Sequence, residues 1–330
     1  MADQYKISLK NSFLHFASHE AGAEDRLSRA TSCPDFASMR AKANSLEDES
    51  LDGRACPAHA VHYGAPTNFQ EMLEKGTQAK GKLLALGRQD SVSWKKINHE
   101  LSEAAKIGGY EKILSVVEKK LPEMNGINFA TAIHRLSKSD FNDGAILQHG
   151  IFLAMLDAVE RIAHCELQRG GEGEGHVLSG GCSSIVAWSC ATLGAFRLPL
   201  FARLAEVAAR QLHSCQDFEV TNLLWAFGQL RHFVPEAGKL APQIQELLDA
   251  TAQIFTRQRL RGMKAHVLIS AMVSLATLRR TGSAQLFSNI SAELRSRWPE
   301  LSPRSRTQIS IACQLRASPK AACKLPKKAY

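Results

Sequence analysis

Apolar residues recur three and four positions apart through most of this chain, beginning near residue 66. "NFQEMLEKGTQAKGKLLALG" and "VSWKKINHELSEAA" have helical spacing, and "YEKILSVVEKKL" places Ile113, Val116, Val117 and Leu121 on one face. From residue 121 onward nearly every segment reads as helix. Pro199, Pro235, Gly238, Pro242, Gly262, Gly282, Pro299 and Pro303 fall between segments. No run of alternating residues stands out as a strand. Residues 1–65 are small, polar and charged without a sustained period, and read as a disordered leader.

One pattern repeats. "SIVAWSCATL" (184–193) superimposes on "TNLLWAFGQL" (221–230), with Trp188 on Trp225 and Leu193 on Leu230 at an offset of 37 residues. "AHVLISAMVSL" (265–275) carries Ala271 and Leu275 at the positions of Ala226 and Leu230, and "TQISIACQL" (307–315) carries Ile311 and Leu315. Upstream, "GINFATAIHRL" (126–136) supplies Ala132 and Leu136; the 57 residues from Leu136 to Leu193 include the glycine-rich stretch "QRGGEGEGHVLSGGC" (168–182). Three of these segments are followed by a second, amphipathic one: "LFARLAEVAARQL", "QIQELLDATAQIF" and "LFSNISAELRSRW". The first helix of each pair is apolar almost all round, as expected of a helix sandwiched between neighbours. Helix pairs at roughly 35–45 residues predict an all-α protein, an α-solenoid of stacked pairs. The expected organisation is a leader (1–65), an N-terminal helical segment (66–120), degenerate repeats (121–317) and a basic tail (318–330).

Composition sharpens this picture. The 330 residues carry a formal charge of +9, unevenly spread: residues 255–330 hold fifteen basic and two acidic side chains, whereas residues 121–254 hold nine and fourteen. A basic end on a mildly acidic body suits a polyanion partner or an acidic protein. The eight cysteines include no C-x-x-C pair and read as reduced thiols. No apolar run reaches the roughly 20 residues of a membrane span; "GMKAHVLISAMVSLATLRR" comes nearest and reads as a buried helix. The first 25 residues show neither a secretory signal nor an Arg-rich organelle leader.

"LPEMNGINFATAIHRLSK" (121–138) and "NLLWAFGQL" (222–230) resemble the repeats of organellar helical-repeat RNA-binding proteins. These are the octotricopeptide-like, heptatricopeptide-like and FAST-kinase-like families, many ending in a RAP domain, and the helical domain of the RNA-editing substrate-binding complex. The resemblance rests on Asn125, Asn128, Thr131, Ala132, His134, Arg135 and Leu136, then on Asn222, Leu224, Trp225, Ala226 and Leu230, and spans about residues 91–317. It implies binding of single-stranded RNA within a ribonucleoprotein complex, in RNA processing, stability, editing or translation, in a mitochondrion or plastid. No RAP-like module follows residue 317.

The candidate RNA-binding residues lie just beyond the first helix of each pair: Arg135, Lys138, Arg197, Arg231, His232, Arg279, Arg280 and Arg316. Stacked pairs would align them along one edge, where guanidinium forks suit phosphate oxygens. The plainer role for any one of them is to complement a helix C-terminus. Arg257, Arg259, Arg261 and Lys264 head a C-terminal basic cluster that continues with Arg295, Arg297, Arg304 and Arg306. Trp188 and Trp225 sit in apolar helices and read as core. Cys56, His59 and His62 lack a fourth ligand, and "GGEGEGH" lacks the Lys-Ser/Thr ending of a phosphate loop. No catalytic constellation, metal site or cofactor site is expected. The alternative function is an armadillo- or HEAT-type interaction scaffold with a basic docking surface.

Overall fold

The computed structural model describes residues 5–10, 13–18, 91–139, 144–169, 178–278 and 283–317. The body is all-α. Its helices are α1 (Ser91–Ile107), α2 (Tyr110–Lys120), α3 (Gly126–Ser137), α4 (Ala145–Gln148), α5 (Gly150–Gln168), α6 (Gly180–Leu193), α7 (Leu198–Gln211), α8 (Asp217–Phe233), α9 (Ala241–Ile254), α10 (Arg257–Gly262), α11 (Ala265–Leu278), α12 (Ala284–Ser296) and α13 (Pro303–Ala317).

The ends of these helices follow from local chemistry. Asn125 Oδ1 accepts from the backbone N–H of Ile127 and Asn128, and Asn128 Oδ1 accepts in return from the Asn125 N–H, which starts α3. Ser179 Oγ accepts from the Cys182 N–H at the start of α6, and Thr256 Oγ1 from the Arg259 N–H at the start of α10. α6 stops at Gly194, whose φ of 77° lets its N–H reach the Ala191 carbonyl while the Ala195 N–H bonds to the Cys190 carbonyl.

Packing arranges the helices in two rows. In the first, α1 packs on α3, α3 on α6, α6 on α8, α8 on α11 and α11 on α13. In the second, α2 packs on α5, α5 on α7 and α7 on α9. The apolar core lies between the rows: Ile133, Leu136, Val186, Leu193, Leu224, Leu230, Leu268 and Leu275 from the first meet Val159, Leu204, Val207, Ile244 and Leu248 from the second. Of the five leucines that mark the repeat, Leu136, Leu193, Leu230 and Leu275 are buried there, and Leu315 is half-buried against it.

Polar contacts between units recur at nearly the same spacing. Asn128 Nδ2 donates to the Trp94 carbonyl 34 residues earlier, at 2.9 Å, and Ser184 Oγ donates to the Glu219 carbonyl 35 residues later, at 2.7 Å. The guanidinium groups of Arg210, Arg259, Arg297 and Arg316 reach the carbonyls of Leu167, Cys215, Leu260 and Leu275, between 37 and 44 residues earlier.

Three sequence expectations are revised. The segment 66–120 is not separate where it is described, because α1 continues the first row against α3. The long gap before Leu193 holds α4 and the 19-residue α5 in addition to the glycine-rich stretch. Tyr5–Lys10 and Phe13–Ser18, inside the expected disordered leader, pair as an antiparallel hairpin with Lys10 opposite Phe13. The signal for it was the alternation Tyr5, Ile7, Leu9 followed by the two-residue link Asn11–Ser12. The rest of the leader, residues 66–90, residues 170–177 and the tail 318–330 lie outside the described residues.

A tight junction lies where α6 starts against the end of α7. The Gly180 N–H donates to Gln211 Oε1 at 2.8 Å, and a Cβ at residue 180 would stand 2.7 Å from Cys215 Sγ. Gly180→Ala is therefore expected to lower stability by about 1–3 kcal/mol through overpacking, measured by urea denaturation. Adding Cys215→Ala should recover most of that loss; no recovery would place the strain elsewhere.

Candidate nucleic-acid interface

Acidic residues are sorted between the rows. α3, α6, α11 and α13 contain no Asp or Glu. α8 has two, Asp217 and Glu219, both in its first turn. Asp217 pairs with Arg259 at 2.7 Å, and Glu219 accepts from the Gln216 N–H at 2.8 Å. The second row carries Asp157, Glu160 and Glu166 on α5, Glu206 on α7, and Glu246 and Asp249 on α9, and α12 carries Glu293. α1 is the exception in the first row, with Glu100 and Glu103.

From α3 to α11 the first row carries a set of polar, uncharged or basic residues that meet solvent. The set includes His134 and Lys138 of α3, Thr192 of α6, Asn222, Gln229 and His232 of α8, and Ser270 and Thr277 of α11, all half-buried or exposed. Two tryptophans lie on this row. The Trp188 ring is 5.8 Å from His134 and 6.2 Å from Trp225, and the Lys138 ammonium stands 4.7 Å above it. Trp225 is half-buried and Trp188 is buried, but Trp188 lies outside the continuous core between the rows. Its indole N–H, shielded from solvent, has no acceptor among the described residues. The reading of both as core residues holds for Trp188 as far as burial goes, with the Lys138 ammonium over its ring, whereas Trp225 is half-buried and packs against the core.

His134 is held below the ordinary histidine pKa, first by burial and then by the positive charges of Lys138 and Arg135. Its neutral ring therefore sits among cations. Burial pushes the thiol pKa of Cys190 up to about 12 and that of Cys215 up to about 11, so both stay protonated at neutral pH. No group of residues that can hold a metal occurs among the described residues, and no described helix is long and apolar enough to cross a membrane.

The predicted basic ladder divides into exposed and structural members. Arg135, Lys138, Arg231, His232, Arg257, Arg261 and Lys264 are exposed. Arg197 is neutralised by Asp157 at 2.6 Å and Glu160 at 3.8 Å. Arg259 ties Asp217 to the Cys215 carbonyl. Arg316 donates to Ser283 Oγ at 3.0 Å and to the Leu275 carbonyl, over the Phe287 ring, and burial lowers its pKa. Arg297, from the C-terminal cluster, donates to the carbonyls of Leu260, Arg261 and Met263. These four serve neighbouring units, two of them by meeting helix-end carbonyls. Arg279 and Arg280 lie outside the described residues. Sequence reasoning passed over the absence of acid from alternate helices, which is visible in the sequence once helix order is known.

No protein-family model, no curated protein and no solved structure matches this chain.

Two outcomes follow from these contacts. Because the folded protein holds His134 below its unfolded pKa near 6.5, the unfolded chain binds the proton first as pH falls. The contribution of His134 is present above that range and is lost on acidification below it. Urea midpoints of the wild type should fall from pH 7.5 to 5.5, and His134→Gln should flatten that limb; an identical pH dependence would remove His134 as its source. Separately, Arg316→Ala should cost about 1–3 kcal/mol by leaving buried acceptors unpaired, whereas Arg261→Ala, at an exposed site, should stay within about 0.5 kcal/mol. Thermal melts of the two variants compare them directly.

Proposed function

We propose that this chain is an RNA-binding α-solenoid whose stacked helix pairs present the first row to single-stranded RNA. It acts in RNA metabolism as a binding scaffold within a ribonucleoprotein complex, without catalysis of its own. A mitochondrion or plastid is the compartment that the family resemblance implies.

The observation that carries this reading is the absence of carboxylates along α3, α6, α11 and α13, on a row that offers Arg135, Lys138, Arg231 and His232 to solvent. A phosphate backbone laid along this row meets cations and neutral polar groups. The nearest second-row carboxylates lie on helices packed roughly 8–10 Å away, which is about one Debye length at 0.1 M salt, so their repulsion is attenuated. The exposed Arg257, Arg261 and Lys264 extend the positive surface at the C-terminal end. With Arg135, Lys138 and Arg231 exposed near the first row, the contact is electrostatic first, and its strength must depend on salt.

Titration of a labelled 20-nucleotide single-stranded RNA measures that dependence. With about five phosphates neutralised and a slope near −0.7 per phosphate, affinity should drop about a hundredfold between 50 and 200 mM salt. Replacing Arg135, Lys138 and Arg231 together by Glu should weaken binding and make the slope shallower. Absence of binding at 50 mM salt would overturn the reading.

A further inference from the structure

We infer that Trp188, Trp225 and Lys138 form a docking slot for one unpaired nucleobase, with the Lys138 side chain closing it when no RNA is bound. The inference rests on the RNA-binding reading and adds to it a contact with the base itself.

Three observations point to a ligand. First, Trp188 is 6% exposed, yet it stands outside the core cluster and is covered by the exposed residue Lys138. Second, its indole N–H is buried with no acceptor among the described residues; a buried tryptophan ordinarily finds one, and an unmet donor in a dry site is costly. Third, the neighbouring Trp225, its ring centroid 6.2 Å from that of Trp188, is half-buried, so part of this residue meets solvent.

A nucleobase meets all three conditions. Its flat face stacks on Trp225, and every base has such a face. Its edge carries carbonyl oxygens or ring nitrogens that accept the Trp188 N–H. Its attached phosphate takes the Lys138 ammonium, which leaves the ring as the base enters. Lys138 is the right residue for this movement: it caps the C-terminus of α3 from an exposed position, and its long stem reaches either the ring or a phosphate beside it. A metal does not fit the slot, which offers no cluster of ligands among the described residues. His134, 5.8 Å from Trp188 and held towards its neutral form, completes the wall without adding a charge that would compete for the phosphate.

The test uses two oligonucleotides of equal length, one intact and one with abasic sites throughout, titrated against the full chain at 50 mM salt. The intact strand should quench tryptophan fluorescence and bind more tightly; the abasic strand should bind by charge alone, without quenching. Trp225→Ala should weaken the intact strand about five- to a hundredfold and leave the abasic strand unchanged. Trp188→Phe, which keeps a ring and removes the N–H, should also weaken only the intact strand. Lys138→Ala, at an exposed position, should raise acrylamide quenching in the absence of RNA. Equal affinity of both strands, with both Trp variants binding like the wild type, would overturn the slot and leave electrostatic RNA binding standing. Binding of neither strand would overturn both.

Discussion

Each helix pair in this chain leaves an apolar flank and a set of helix-end carbonyls that it cannot satisfy alone, and the neighbouring pair supplies both. The last four carbonyls of a helix have no partner within it, and leaving them dry would cost free energy. Arg316 meets that need for Leu275 from about forty residues away, Arg297 for Leu260, Arg261 and the capping residue Met263, and Arg259 reaches the Cys215 carbonyl just beyond the turn that follows α7. Asn128 ties α1 to α3 in a different way: Nδ2 donates to the Trp94 carbonyl and to Asn98 Oδ1, and Oδ1 accepts from the Asn125 N–H. The rows exist because these contacts repeat.

The same constraint sorts the charges. An interior first-row helix (α3, α6, α8 or α11) is flanked by two neighbours in its row, so only a narrow stripe of it meets water. A carboxylate elsewhere on that helix would be buried without a partner, at a cost of several kcal/mol. The two acids of α8 escape this cost at its first turn, where the helix dipole favours negative charge. Second-row helices keep a wider solvent face and carry the acids. Freedom from carboxylates is thus first a packing result; it also leaves the first row well suited to a polyanion.

The helical body was legible in the sequence because its markers are local. Leu193 and Leu230 stand one helix end after Trp188 and Trp225, and glycine or proline breaks each unit. The hairpin at residues 5–18 was legible too, in the alternation Tyr5, Ile7, Leu9, but it was masked by the polar composition around it. The sorting of the basic residues was not legible. Arg231 and Arg316 both follow a repeat leucine by one position, yet one is exposed and the other reaches a carbonyl of the preceding first-row helix. That difference depends on which acceptor a distant unit brings within reach, and spacing along the chain carries no record of it.

The sequence by itself determined that the body is helical, where most helices begin and end, and which leucines face inward, because capping, helix propensity and the 3.6-residue period act over a few residues. Only the tertiary structure decided which cations meet solvent and that Trp188 lies under Lys138. Those outcomes turn on how α3, α6 and α8 align side by side, and that alignment is set by the packing of residues some forty positions apart.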